Sequence, residues 1–278
     1  MMAKFNPIDH PICFSYPLRM TSSAWITHVP FGMFIIDLLR PSLIVELGTF
    51  SGVSYCSFCQ AAKELKINLR AYAIDTWQGD PHGGYYSPEV LKDLRKHHDP
   101  LYGDFSKLIQ SNFDDALEYF MDNTIDLLHI DGYHTYDVVK HDFETWLPKI
   151  NKQGVVLLHD INVRERDFGV WRFWEELREQ YKTFEFIHGN GLGLVIVNEC
   201  PEKLLPLLKL SGDELINFRE FFYQLGRRLE IEIEKEQTIQ SLKVQVSENE
   251  QVLKNLSTLM AEKDQFIQTI NAQLADKN

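Results

Sequence analysis

Asp131 and Asp160 each close an apolar run of strand length, Ile125 to Asp131 and Gly154 to Asp160. Each also has a histidine beside it, His134 three residues after the first and His159 immediately before the second. Two consecutive parallel strands would deliver these carboxylates and imidazoles to one edge of a sheet. Hard oxygen ligands with an imidazole suit a divalent cation such as Mg²⁺ or Mn²⁺, which keeps positions open for substrate oxygens. The chemistry that calls for such an ion is deprotonation, because a hydroxyl is as weak an acid as water, with a pKa of roughly 15.7, and a bound metal lowers such values by many units. A neutral His134, near its ordinary pKa of about 6.5, would then accept the proton. Asp131 and His134 are therefore the expected catalytic residues.

A second motif lies about eighty residues upstream. The strand-like run Ile44-Val45-Glu46-Leu47 leads into the turn Gly48-Thr49-Phe50-Ser51-Gly52 and then into a helix. Two glycines let the backbone approach a ligand closely, and the free N–H groups of the next helix add polar contacts. The three-glycine GxGxxG spacing that admits a pyrophosphate is missing, and so is the Walker GxxxxGK[ST] pattern. A cofactor without phosphates is therefore favoured, and S-adenosylmethionine satisfies this. Glu46, Gly48, Thr49, Ser51 and Gly52 are expected near its amino-acid end and ribose, and Asp75 on the ribose hydroxyls, with a turn cap as the other reading of Asp75. Asn112 and Phe113, past the third strand, are expected at the adenine edge and face.

These residues need a scaffold that brings strand ends together. Apolar runs alternate with helical patterns from about residue 28 to 198, the signature of a parallel sheet covered on both faces. Strands are expected at 43–47, 71–75, 107–111, 125–131 and 154–160, and helices at 52–66, 114–122 and 136–147. Two last strands at 184–187 and 192–197 flank His188-Gly189-Asn190-Gly191 and read as an antiparallel hairpin. The expected fold is α/β, a doubly wound, Rossmann-like, mostly parallel seven-stranded sheet with a terminal antiparallel hairpin, followed by a C-terminal coiled-coil helix. The expected division is a catalytic domain over 1–212 and a helical extension over 213–278.

The extension carries a heptad. Ile239, Leu242, Val246, Asn249, Leu253, Leu256, Met260, Lys263, Ile267, Ile270 and Leu274 alternate spacings of three and four without a break. Polar residues inside such a seam cost stability but set register, so Asn249 and Lys263 fit a homo-oligomer formed through residues 236–276. The chain stops at Lys277-Asn278 without a cap, which leads to the expectation of a longer polypeptide.

The formal net charge of −12 and the lack of a clustered basic surface argue against a nucleic-acid partner. No run reaches the roughly 18 uninterrupted apolar residues of a membrane span, and no N-terminal signal pattern is present. Cys13, Cys56, Cys59 and Cys200 are too few and scattered for a disulfide framework. Cys56 and Cys59 share one helix face and lack the second pair of a zinc site, so packing is their expected role. A cytoplasmic protein is expected.

The order of motifs resembles the class I S-adenosylmethionine-dependent methyltransferases over about residues 20 to 198. More narrowly, Ile130-Asp-Gly-Tyr-His134 with Leu158-His-Asp160 is similar to the metal-dependent small-molecule and sugar O-methyltransferases, including those acting on macrolide sugars and catechols. The resemblance implies Asp131, His159 and Asp160 as metal ligands, His134 as general base and Asn162 as a substitute third ligand. In those relatives the strand-five pair is commonly acidic or Asp-Asn, whereas here His159 precedes the aspartate. The stretches Asp75-Thr-Trp-Gln-Gly-Asp80-Pro-His82-Gly-Gly-Tyr-Tyr and Asn162-Val-Arg-Glu-Arg-Asp167-Phe-Gly-Val-Trp resemble a bacterial subgroup often attached to glycosyltransferases of surface-polysaccharide synthesis. This implies a sugar or glycan acceptor, a glycosyltransferase in the same longer chain or complex, and a place at the inner face of the membrane. In physical terms, Trp77, His82, Tyr85, Tyr86, His97 and His98 in the insert 76–106 combine aromatic faces with polar edges that suit a carbohydrate under a lid loop. Trp77, His82, Tyr85, Asn162 and Arg164 are the expected substrate contacts, with Arg164 and Arg166 placed to clamp an acidic group. Two alternatives stay open: a nicotinamide-dependent oxidoreductase, and a non-catalytic coiled-coil scaffold of a glycan-assembly complex.

Overall fold

The computed structural model describes residues 6–275. Helix α1 (Val29–Leu39) ends where Arg40 turns left-handed before Pro41, and strand β1 (Leu43–Leu47) follows. Then come α2 (Val53–Glu64), β2 (Arg70–Asp75), the short strands β3 (Gly79–Asp80) and β4 (Gly84–Tyr85), α3 (Glu89–Tyr102), β5 (Ser106–Gln110) and α4 (Phe113–Ala116). The second half runs β6 (Ile125–Ile130), α5 (Tyr136–Trp146), β7 (Ile150–His159), α6 (Val170–Gln180), β8 (Lys182–Phe186), β9 (Leu192–Ile196), α7 (Leu205–Leu208) and α8 (Gly212–Ala275).

Seven strands form one sheet in the order β5-β2-β1-β6-β7-β9-β8. The first five are parallel, and β9 runs antiparallel to both β7 and β8. Every residue of β1 and β9 is buried, which is why their sequences, apart from Glu46 of β1, carry no polar side chain and do not alternate. The chain winds outward from β1 to β2 and β5, then returns to β6 on the other side of β1. This reversal opens a crevice at the carboxyl ends of β1 and β6. The mixed sheet with a terminal hairpin is the fold that the alternation of patterns predicts.

Three local expectations change. The insert 76–106 is only in part a loop, because 89–102 is helix. Leu94, His98 and Tyr102 recur every four residues and are buried, and His98 donates to or accepts from Ser106 Oγ at 2.7 Å. His98 therefore anchors α3 to the body and does not serve an acceptor. The helix expected at 114–122 is one turn of α4 followed by a 3-10 turn at Leu117–Tyr119. This tightening sets the Phe120 ring against Tyr72 and Trp146. The third change concerns the domain boundary.

The body extends through Glu230, and the second compact unit begins at Ile231, so the boundary lies beyond residue 212. The cause is an aromatic cluster. Phe218 and Phe222 of α8 are buried, and Phe222 lies 5.4 Å from Phe31 and 6.0 Å from Phe186 between ring centroids. Gly226 sits so close to the body that a Cβ there would meet the Thr27 carbonyl oxygen at 2.0 Å. From Ile231 the second unit is continuous helix, with Ile239, Leu242, Val246, Leu253, Leu256, Met260, Ile267, Ile270 and Leu274 exposed. Asp276, the last residue of the expected oligomer segment, lies outside the described residues. Among the described residues no helix is long and apolar enough to cross a membrane. Cys56 and Cys59 are free and buried in α2, and burial pushes the Cys56 thiol up to about 12, so it is a packing residue.

Candidate active site

A cavity of about 320 Å³ opens at the carboxyl ends of β1, β2, β6 and β7. One wall is the turn after β1. Gly48 and Gly52 have φ of +84° and +81° and Phe50 has φ of 46°, a backbone path that glycine adopts without steric cost. The turn is held by Asp75, whose Oδ2 accepts from the N–H groups of Thr49 and Phe50, both at 2.8 Å. Its Oδ1 accepts from Trp77 N–H at 2.7 Å. Three of the carboxylate's roughly four acceptor sites are thus committed to backbone. Asp75 lines the cavity, yet its main work is to tie two loops together, the capping role named above as its other reading.

Across the crevice stand Asp131, His134, His159 and Asp160, all lining the same cavity. His134 Nε2 lies 2.8 Å from Asp160 Oδ2 and 3.7 Å from Asp131 Oδ1. His159 Nδ1 lies 3.1 Å from Asp131 Oδ1, and its Nε2 lies 3.0 Å from the carbonyl oxygen of Gly189. A carbonyl only accepts, so His159 Nε2 carries a hydrogen. Burial by itself would push both imidazoles down, but the two carboxylates outweigh it, raising His159 well above the usual range and His134 to about 9. Burial would likewise raise both carboxyls, and the histidines more than reverse it, holding Asp131 and Asp160 below the usual carboxylate range. His134 therefore favours its protonated form at neutral pH and is not the neutral proton acceptor expected from the sequence. Asp160 takes a left-handed backbone, φ 60°, and its Oδ1 is buried without a partner.

Several expected residues stand elsewhere. Glu46 is wholly buried and faces away from the cavity. Its Oε2 accepts from His129 Nδ1 at 2.8 Å. Trp25 Nε1 donates to His129 Nε2 at 3.1 Å, which leaves Nδ1 as the protonated nitrogen. Thr49 and Ser51 are buried in the turn, and the Ser51 hydroxyl bonds to that of Thr21 at 2.9 Å. Gly52 does not line the cavity, and a Cβ there would meet Leu94. Trp77 is buried and donates from Nε1 to the Phe50 carbonyl at 2.9 Å, so it braces the turn rather than offering a stacking face. Tyr85 is 84% exposed, outside the cavity. Asn162 donates from Nδ2 to the Ile187 carbonyl, and Arg164 pairs with Glu175 and covers Trp171. Arg166 lies over Phe168. Neither arginine reaches the cavity.

Asn112 and Phe113 do line it. Asn112 caps α4, accepting from Asp115 N–H at 2.8 Å, and a Cβ on Gly132 would meet the Phe113 ring at 2.6 Å. Sequence reasoning missed Phe50, Thr76, Asp80 and Tyr133 as lining residues, and it named Tyr86 only as part of the insert. The doublet Asp80-Pro-His82 between glycines was the available signal, since a carboxylate and an imidazole two apart in a tight turn project from one point.

A cation held by Asp131, His159 and Asp160 does not fit this arrangement. His159 has no nitrogen free for an ion, because Nδ1 donates to Asp131 and Nε2 to the Gly189 carbonyl. The group at this edge with ligand atoms within 4.8 Å of one another is Asp131, His134 and Asp160, and His134 Nε2 would have to give up its bond to Asp160 to join it.

Residues 45–161 match a family model described as a methyltransferase domain. A curated Sinorhizobium fredii protein of uncharacterised role, y4gI, is 43% identical over 206 residues, which is 73% of this chain and 23% of that protein. The chain thus spans about a quarter of the length of the curated relative it matches. Among solved structures, the Streptomyces achromogenes O-methyltransferase TomG, in complex with S-adenosylmethionine, is 17% identical with a TM-score of 0.46, covering 72% of this chain and all of that one. A Bacillus cereus O-methyltransferase in complex with S-adenosylhomocysteine is 15% identical with a TM-score of 0.46, covering 65% and 84%.

Proposed function

Because residues 45–161 match a family model described as a methyltransferase domain, we propose that this chain transfers a methyl group from S-adenosylmethionine to a hydroxyl oxygen of a sugar in a glycan or glycan precursor. The charge of the cavity carries the reading. Four carboxylates, of Asp75, Asp80, Asp131 and Asp160, line it against two imidazoles, of His134 and His159, and no lysine or arginine does so among the described residues, so its balance is acidic. Such a site attracts a sulfonium and an ammonium group and repels a pyrophosphate. That charge pattern disfavours a nicotinamide dinucleotide. In this reading Phe113, which lines the cavity beside Asn112, takes the adenine face, and the one uncommitted acceptor site of Asp75 takes a ribose hydroxyl. Phe50, Tyr86 and Tyr133 supply the apolar faces, and Asp80 the acceptor oxygens, that a sugar ring requires.

In this reading the acceptor oxygen attacks the methyl carbon in line. The O–C bond forms as the C–S bond breaks, the sulfonium becomes a neutral thioether, and the hydroxyl proton passes to the Asp160 carboxylate. Positioning two substrates in one crevice supplies most of the acceleration. Titrating S-adenosylhomocysteine into the protein by calorimetry tests the cofactor, with one molecule per chain expected. Radiolabelled methyl transfer to a panel of nucleotide sugars and oligosaccharides tests the acceptor. Absence of binding to folded protein would overturn the reading. Labelling of phenols or peptides with no labelling of sugars would overturn the acceptor class alone.

A glycosyltransferase, in the same longer polypeptide or complex, is the partner we propose for the body. For residues 236–276 it is a second copy of the same helix. The unbroken three-and-four spacing supports this, with Asn249 and Lys263 as the residues that set register. Light scattering on the full chain is expected to give a multiple of the chain mass, and a Leu253→Asp, Leu256→Asp variant the mass of one chain. A monomeric parent would remove the proposal.

A further inference from the structure

A second group of ligating side chains stands on the insert side of the cavity, apart from the strand-end carboxylates. The turn between β3 and β4 is fixed by Asp80, whose Oδ1 accepts from the N–H groups of His82 at 2.6 Å and Gly83 at 2.8 Å. This aims the His82 ring inward, its side chain only 3% exposed. The ring lies on Phe168, with centroids 4.3 Å apart and planes at 15°, and His134 lies on the same Phe168 at 4.9 Å and 9°. Phe168 is held there by its own loop, since the next residue, Gly169, donates to the His134 carbonyl at 2.8 Å. The two imidazoles are thereby brought nearly parallel, with centroids 5.8 Å apart.

Each ring commits Nε2 to a carboxylate, His82 to Asp167 at 2.5 Å and His134 to Asp160 at 2.8 Å. Nδ1 of each is buried and has no hydrogen-bond partner. A buried imidazole nitrogen without a partner is costly unless something joins it. A histidine whose far nitrogen is held by a carboxylate is the form in which proteins orient imidazoles toward a metal. Two imidazoles bound through nitrogen to one ion at about 2.0–2.1 Å have centroids roughly 5–6 Å apart, which matches the pair here. One ligand atom from each of Asp80, His82 and His134 lies within 4.8 Å of the others.

We propose that Asp80, His82 and His134 bind a divalent first-row transition-metal ion, through Nδ1 of both histidines and the carboxylate of Asp80, with the ion displacing the proton from His134 Nδ1 into solvent. Two imidazoles and one carboxylate suit Mn²⁺, Co²⁺ or Zn²⁺ better than Mg²⁺, which prefers oxygen ligands and water. The site differs from the set implied by resemblance, because it uses the insert turn and the opposite nitrogen of His134, and it leaves the Asp131, His159 and Asp160 contacts intact. Two of the three ligand residues, Asp80 and His134, also line the cavity. An acceptor hydroxyl bound there would be acidified, its proton passing to Asp160. That role rests on the methyl-transfer reading, whereas ion binding stands without it.

The test uses the full chain after chelator treatment, titrated with Mn²⁺ and Zn²⁺ by calorimetry and with Co²⁺ followed in the visible spectrum. One ion per chain is expected, with a Co²⁺ ligand-field band. His82→Gln and Asp80→Asn should each weaken binding at least tenfold and abolish or shift the band, while Asp131→Asn stays within a few-fold of the parent. Titration with S-adenosylhomocysteine in the same samples reports whether each variant keeps its fold and cofactor site, and Asp80→Asn serves if His82→Gln does not fold. No stoichiometric ion, parent-like affinity in both Asp80→Asn and His82→Gln, or loss confined to Asp131→Asn would overturn the proposal. Failure of S-adenosylhomocysteine to bind any sample would instead count against methyl transfer and leave the ion result standing.

Discussion

Asp160→Asn is expected to slow methyl transfer by roughly 10²–10⁴-fold, the range for loss of a positioned proton-transfer group, with affinity for S-adenosylhomocysteine kept within about threefold. Asparagine is the choice that isolates the charge. Asp160 sits at φ 60°, a region that asparagine and aspartate enter more readily than other non-glycine residues. The substitution therefore spares the backbone while removing the anion that pairs with His134 at 2.8 Å. The neutral thioether product does not depend on that charge, but the sulfonium substrate does, so S-adenosylmethionine should lose more affinity than S-adenosylhomocysteine. Single-turnover rates and calorimetry on the same preparation check both halves. A parent-like rate would show that the proton leaves by another route.

Gly48→Ala is expected to cost at least about 100-fold in affinity for S-adenosylhomocysteine, equivalent to nearly 3 kcal/mol. A Cβ at this position would lie 2.2 Å from the Asp131 carbonyl oxygen, 2.6 Å from its carbon and 2.8 Å from Gly132 Cα. These are backbone atoms at the end of β6, and none can rotate away. Relief requires the turn 48–52 to move off the neighbouring strand, and with it the Thr49 and Phe50 N–H groups that Asp75 holds. Charge-assisted bonds of this kind contribute about 1.5–3 kcal/mol each, so loss of thermal stability should accompany loss of binding. Gly84→Ala is the control. Its φ is also positive, +83°, but a Cβ there has nothing within 4 Å. It should show modest strain and unchanged cofactor affinity. Equal losses in the two variants would mean that backbone strain, not the close approach of β1 to β6, is the cause.

Much of this architecture can be read along the chain because its determinants are local. Near-continuous apolar runs such as Leu43 to Leu47, interrupted only by Glu46, are what a strand buried on both faces demands, and Gly48 and Gly52 mark a turn that few other residues can make. Asp131 and Asp160 can be placed at a common edge from their positions at the ends of such runs. The heptad from Ile239 onward is visible for the same reason, since spacing along one helix needs no partner to be recognised. Helix α3 escaped notice because its buried face is made of Leu94, His98 and Tyr102, with Pro100 in its last turns, a pattern that looks like a polar insert until the body covers it.

What no local pattern could reveal is where each polar side chain spends its hydrogen bonds. Glu46 looks like a cofactor residue, but the register that pairs it with His129 of β6 puts both side chains on one covered face of the sheet, where His129 lies against Trp25 and Phe58. Asp75 looks like a ribose ligand, but a turn 25 residues upstream brings it two N–H groups first. His159 looks like a metal ligand, but the Gly189 carbonyl on the terminal hairpin and Asp131 on the neighbouring strand end take both of its nitrogens. Asp80 and His82 meet His134 only because Phe168, from a third loop, gives both rings a surface to lie on. Residue types and their spacing thus settled the fold and the chemistry available at the sheet edge. The assignment of roles within it was left to contacts between segments far apart in the chain, because a hydrogen-bonding group commits to whichever buried partner the packing brings within 3 Å.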